Sequence, residues 1–208
     1  MYNFFVEKEQ VNEKIRIIGK DVNHIKNVLR LKNNEKICVH IKGQTTKYIC
    51  EIAEYINDEV ICNIVEETTQ NKESGIYINI VQALPKSDKM ELIIQKCTEL
   101  GASEFTPLKV NRCIVKYNEK DAEKKCLRWQ SIAEVAAKQC ARDIIPLVNN
   151  IYTIENLQML LADYDLVIVA YENEMAVKLK DIIEQNSKKI AIIIGPEGRL
   201  RTKRSRNF

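Results

Sequence analysis

Residues 76–101 read IYINIVQALPKSDKMELIIQKCTELG, and this stretch decides the fold. Ile76 to Ala83 is an apolar, β-branched run with the character of a strand buried on both faces. Leu84-Pro85-Lys86-Ser87 interrupts it. From Asp88 the period becomes helical, with Met90, Ile93, Ile94, Cys97 and Leu100 on one face. Asp88 followed by Glu91 has the spacing of a capping box, and Gly101 suits the helix stop. A buried strand that feeds an amphipathic helix through a short loop is the first half of a βαβ unit.

The same alternation continues toward the C-terminus. The pattern predicts a strand near Phe105, a long helix over 119–142, a helix near 154–161, a strand at 166–170, a helix near 175–184 and a strand at 190–194. Strands alternating with helices predict a mostly parallel sheet covered on both faces, an α/β domain. Toward the N-terminus the pattern differs. Residues 3–6, 15–18, 37–41, 48–53 and 60–65 are short β-branched and aromatic runs separated by turn residues, as in a small barrel. One helix interrupts them, with Asp21 as its expected cap and Val22, Ile25, Val28 and Leu29 on one face. Residues 67–75 are polar and aperiodic. The expected division is a β domain over 1–70, a linker over 71–75 and an α/β domain over 76–208.

Of the 208 residues, 45% are hydrophobic and 29% charged, which excludes intrinsic disorder. The longest apolar stretch, Ile190–Ile194, is too short to cross a bilayer. No secretory signal is visible in MYNFFVEKEQ, so a cytoplasmic protein is expected. Seven cysteines at wide spacing argue for reduced thiols rather than a disulfide framework or a zinc site. No metal is expected. The formal charge of +3 falls to −2 without the five basic side chains of RLRTKRSRNF, residues 199–208. Any nucleic-acid surface must therefore be a local patch.

Four stretches carry candidate chemistry, each with a plainer alternative. Gly195-Pro196-Glu197-Gly198 follows the last buried strand, where open α/β sheets bind ligands, or it is simply a turn. Leu84-Pro85-Lys86 leads to a helix N-terminus that favours anions, or it is an ordinary βα loop. Arg128, Gln139 and Arg142 fall within about 60° of one another on an ideal helix, with Arg112 upstream. They form an arginine-lined groove or a solvated face. His24, Arg30 and Lys32 are a phosphate-contacting patch or a helix end with favourable cations. P-loop, dinucleotide and nucleophile-elbow signatures are lacking.

Taken together and in order, these blocks resemble the RsmE family of 16S ribosomal RNA (uracil-N3) methyltransferases: His24…Val28-Leu-Arg-Leu-Lys32, the 82–101 block, Arg112, Arg128-Trp-Gln…Gln139…Arg142…Pro146, and Ile194-Gly-Pro-Glu-Gly198. The resemblance implies a PUA-like RNA-binding β barrel followed by a SPOUT-type α/β methyltransferase domain with a trefoil knot. It implies a homodimer that uses S-adenosylmethionine to methylate N3 of a uridine in small-subunit ribosomal RNA. It places Leu84, Pro85 and Gly195–Gly198 at the cofactor, Arg112 and Arg142 at the reacting centre, and His24, Arg30, Lys32, Lys86, Arg128 and Gln139 at RNA.

The family pattern is lost after Gly198. The family continues there with a further glycine, an acidic helix and the segments that complete the knot, whereas this chain turns basic and aperiodic. The expectation is a truncated or frameshifted terminus and an incomplete methyltransferase domain. The alternative function is then a non-catalytic RNA-binding protein or an inactive remnant.

Overall fold

The computed structural model describes residues 1–69, 73–110, 117–170, 178–182 and 187–195. Two compact units emerge, Met1–Glu73 with Ala137–Ile145, and Ser74–Ala136 with Pro146–Phe208. The sequence had placed 137–145 with the second group, so the first unit is discontinuous in sequence.

In the first unit, strands β1 (Asn3–Val6), β2 (Lys14–Ile18), β3 (Lys36–Ile41), β4 (Lys47–Ile56) and β5 (Glu59–Thr68) form one sheet ordered β1-β3-β4-β5-β2. Only β1 and β3 pair in parallel. Strand β2 shows why the alternation works: Ile15 and Ile17 are buried while Lys14, Arg16 and Ile18 face outward. Register shifts after Ile49 and Ile52 mark bulges, which bend β4 and sharpen its twist.

Helix α1 is short (Lys20–Asn23) and runs directly into a π turn at His24–Val28. Its N-cap is Gly19 at φ 73°, a conformation open to glycine, and no side chain caps it. Asp21 therefore does not cap the helix; its carboxylate accepts from Lys138 Nζ at 2.9 Å. The wider π turn also rotates the expected apolar face. Val22 and Ile25 are buried, but Val28 is 64% exposed.

In the second unit, β6 (Tyr77–Ala83), β7 (Glu104–Leu108), β8 (Leu147–Val148), β9 (Leu166–Ala170) and β10 (Lys189–Ile194) form an all-parallel sheet ordered β8-β7-β6-β10-β9. Helices α2 (Lys89–Glu99), α3 (Glu119–Gln139), α4 (Ile154–Leu161) and α5 (Leu179–Ile182) connect the strands. Val81, Ala83, Phe105 and Ala191 are fully buried, packed with Met90 and Ile94 of α2 and Trp129 and Ala133 of α3. The expected capping box at α2 does not form: Asp88 makes no side-chain cap, and Glu91 instead pairs with Arg128 at 2.8 Å. Asp88 sits at φ −89°, ψ 13°, outside the extended backbone from which an N-cap side chain reaches the following N–H groups.

Polar side chains clamp the amino edge of this sheet. The Glu104 carboxylate accepts from the hydroxyls of Tyr77 and Tyr164 and from Asn149 Nδ2. Lys189 Nζ lies 4.6 Å from the centre of the Tyr164 ring. Burial beside this carboxylate pushes the Tyr77 hydroxyl up to about 12 and raises that of Tyr164 as well.

Helix α3 stops at Gln139, short of the expected Arg142. Ala141 adopts φ 58° and reverses the chain, and the Arg142 N–H donates to the Ala137 carbonyl at 3.0 Å.

Candidate functional site

Strand β6 is the centre of the parallel sheet, flanked by β7 and β10. At its carboxyl tip Gln82 sits opposite Pro107 on one side and Ile194 on the other. The two stretches flagged for cofactor chemistry therefore leave the sheet from adjacent strands, the 84–88 loop from β6 and Gly195 from β10. This is the position at which open parallel sheets receive ligands.

The walls are mostly apolar. Leu84 is 4% exposed and its N–H donates to the Leu108 carbonyl at 2.9 Å; Pro85 is also buried. Lys86 is exposed at the mouth, and Gly195 is partly buried. Gln82 is 5% exposed and gives one amide proton to the Ala83 carbonyl at 2.9 Å, a bond to its own neighbour. Its amide oxygen has no partner among the described residues. A glycine that lets backbone approach and a buried apolar wall suit an uncharged nucleoside moiety. That arrangement fits S-adenosylmethionine. Pro196, Glu197 and Gly198 lie outside the described residues, as do Arg112 and the tail 199–208.

The arginine cluster expected on one helix face does not form as such. Arg128 is exposed on α3 in the second unit, ion-paired with Glu91. Gln139 is exposed at the end of α3. Arg142 lies beyond the helix in the first unit and is 9% exposed. Its guanidinium is bound to the Glu73 carboxylate, which also accepts the backbone N–H groups of Asp143 (2.9 Å) and Ile144 (3.1 Å). Beside it Asp143 accepts from Lys47 Nζ at 2.9 Å, and His40 Nδ1 is 3.7 Å away. Glu73 and Asp143 thus carry a buried charge network that sequence did not signal: one lies in a polar linker, the other just past a helix.

His24, Arg30 and Lys32 come together as an exposed basic segment of the first unit. His24 opens the π turn, with its ring edge-on to Phe4 at 6.3 Å. Arg30 follows at φ 55°. The segment is held from behind: Tyr55 OH donates to the Leu31 carbonyl at 2.6 Å, and the Lys32 N–H donates to the Glu35 carboxylate at 2.7 Å. The basic side chains are thus presented by a fixed backbone, an arrangement suited to phosphate contacts.

Residues 72–205 match the family model described as the RNA methyltransferase domain, and residues 17–65 match that of the RNA methyltransferase PUA domain. The ribosomal RNA small subunit methyltransferase E of Bacillus subtilis (strain 168) is 37% identical over 96% of this chain and 82% of its own length. That of Mesomycoplasma hyopneumoniae (strain 232) is 31% identical over 95% and 82%. Among solved structures, a ribosomal RNA small subunit methyltransferase E from Neisseria gonorrhoeae bound to S-adenosylmethionine superposes with a TM-score of 0.80 at 27% identity, covering 97% of this chain and 82% of that one. A Legionella pneumophila protein in complex with the same cofactor gives 0.84 at 26% identity, with the same coverage. With both domain models matched in this order and relatives above 30% identity spanning nearly the whole chain, the chain belongs to the ribosomal RNA small subunit methyltransferase E family.

Proposed function

We propose that this protein methylates N3 of a uridine in 16S ribosomal RNA of the small ribosomal subunit, with S-adenosylmethionine as the donor. The observation that carries this reading is the match of the RNA methyltransferase domain over residues 72–205, the span that includes both strand tips of the candidate site. Bound S-adenosylmethionine supplies an activated methyl group on a sulfonium, so the protein's part is mainly positioning and electrostatics. Leu84 and Pro85 exclude water beside it, Gly195 admits its close approach, and Pro196, Glu197 and Gly198 are the further cofactor contacts that the family resemblance implies.

Uridine N3 must give up its proton to solvent before it takes the methyl group from the sulfonium, and a base-paired uridine is blocked at N3, so the target is single-stranded or flipped. Arg112 stabilises the negative charge left on the base. For Arg142, which the resemblance also puts at the reacting centre, its pairing with Glu73 supports an indirect part, holding the 140–145 loop in place. His24, Arg30 and Lys32 engage RNA phosphates from the first unit, and Lys86, Arg128 and Gln139 do so from the second. The working form is a homodimer, a reading supported by exposed apolar side chains such as Leu92 and Leu127 on α2 and α3. The setting is the cytoplasm; among the described residues no helix is long and apolar enough to cross a membrane.

The test is transfer of labelled methyl from S-adenosylmethionine to small ribosomal subunits that lack the modification. Label at uridine N3, located by nuclease digestion and mass spectrometry, is the expected result. No label, or label at a ribose or another base, sinks the reading.

A further inference from the structure

Gln82 is the one polar residue in the buried run from Ile80 to Leu84. Its carbonyl oxygen and second amide proton have no partner among the described residues. Asn79 on the same strand is the contrast: its amide is met by Thr106 at 3.0 Å and Tyr164 at 2.8 Å. The unpaired amide is thus confined to the carboxyl tip of the central strand, level with Ile194 and one residue from Gly195.

We infer that Gln82 contacts the substrate, donating its free amide N–H to O4 of the target uracil; this rests on the reaction proposed above. When uracil loses its N3 proton, the charge spreads over O2, N3 and O4. A donor at O4 holds that anion more tightly than the neutral base and leaves N3 open to the methyl group. It also selects the base, because uracil presents an acceptor at position 4 where cytosine presents an amino donor. A glutamate at 82 would offer only acceptors and lose both effects.

The experiment compares wild type, Gln82→Leu and Gln82→Glu on RNA carrying uridine or 4-thiouridine at the target, with S-adenosylmethionine affinity measured by calorimetry. On uridine, Gln82→Leu is expected to lower kcat about 100-fold, as removal of one preorganised donor does. Its melting temperature should stay level or rise, and the affinity for S-adenosylmethionine should stay within about twofold. On 4-thiouridine the gap should narrow to below about tenfold, because sulfur is a weak acceptor. Equal rates for variant and wild type overturn the inference. So does weakened S-adenosylmethionine binding with the uridine-to-thiouridine gap intact, which would move Gln82 to the cofactor. A wild type that transfers no methyl refutes the proposed reaction instead. The contact is then decided by equilibrium binding of the same two RNAs: a preference for uridine that Gln82→Leu abolishes supports it, and equal binding overturns it.

Discussion

Replacing Glu73 by alanine should be among the most costly single changes in the first unit. The Glu73 and Arg142 side chains are 11% and 9% exposed, so the pair is largely out of water. Truncating the acid takes a carboxylate away from a buried guanidinium and removes the acceptor of two backbone N–H groups, those of Asp143 and Ile144. Breaking a buried pair from one side costs about 3–5 kcal/mol. Losing hydrogen bonds to a charged group adds about 1.5–3 kcal/mol each, though not additively. We expect a net loss of about 4 kcal/mol, a large share of the roughly 5–15 kcal/mol that holds a typical domain. Arg142→Ala should cost somewhat less, because Glu73 keeps its two N–H donors. A Glu73→Leu/Arg142→Met double variant should return to within about 2 kcal/mol of wild type, since a packed apolar pair needs no desolvation. The readout is urea unfolding followed by alkylation of Cys50 and Cys62, both 0% exposed within the first unit, with modified sites located by mass spectrometry. A Glu73→Ala loss below about 1 kcal/mol would refute the reasoning, because it would mean the pair is solvated in solution.

Glu104→Ala removes the acceptor shared by Tyr77, Tyr164 and Asn149 and should cost on the order of 3 kcal/mol in the second unit. Fluorescence of Trp129, the single tryptophan, reports that unit, and an unchanged urea midpoint would contradict the clamp. Burial pushes the Cys50 and Cys62 thiols from 9.0 up to about 12, so folding favours the protonated form. Their contribution is complete below pH 9 and drains away between pH 9 and 12, at about 1.4 kcal/mol per pH unit for each thiol. Urea midpoints that stay level from pH 9 to 11 would rule this out. Arg30→Ala with Lys32→Ala should flatten the salt dependence of RNA binding by about 1.4 in log–log slope if both meet phosphates of a single strand. A slope equal to that of wild type would remove them from the interface.

Much of the second unit was legible because its central strands, β6 and β7, are largely buried. Ile190–Ile194 reads as an unbroken apolar run and Ile76–Ala83 as one broken only by Asn79 and Gln82, and the helices between them kept their period. The Gln82–Ile194 register that brings two candidate loops together is a long-range pairing, which periodicity does not encode. Helix ends were less legible, since capping depends on the angle at which the chain enters: Asp21 and Asp88 have the right chemistry for a cap and the wrong backbone to use it. Arg142 seemed to share a face with Arg128 only while the helix was taken to continue; the reversal at Ala141 has no glycine to announce it. Glu73 and Asp143 are far apart in sequence and meet through burial, so nothing local marks either one.

The discontinuous first unit sets an order on biosynthesis. Residues 1–73 leave the ribosome long before 137–145, yet Lys47 and Glu73 pair with Asp143 and Arg142 of that later segment. Until it emerges, the nascent N-terminal sheet holds an acid and an ammonium at positions destined for the interior. A gene fragment cut at codon 73 would freeze the chain in that unfinished condition.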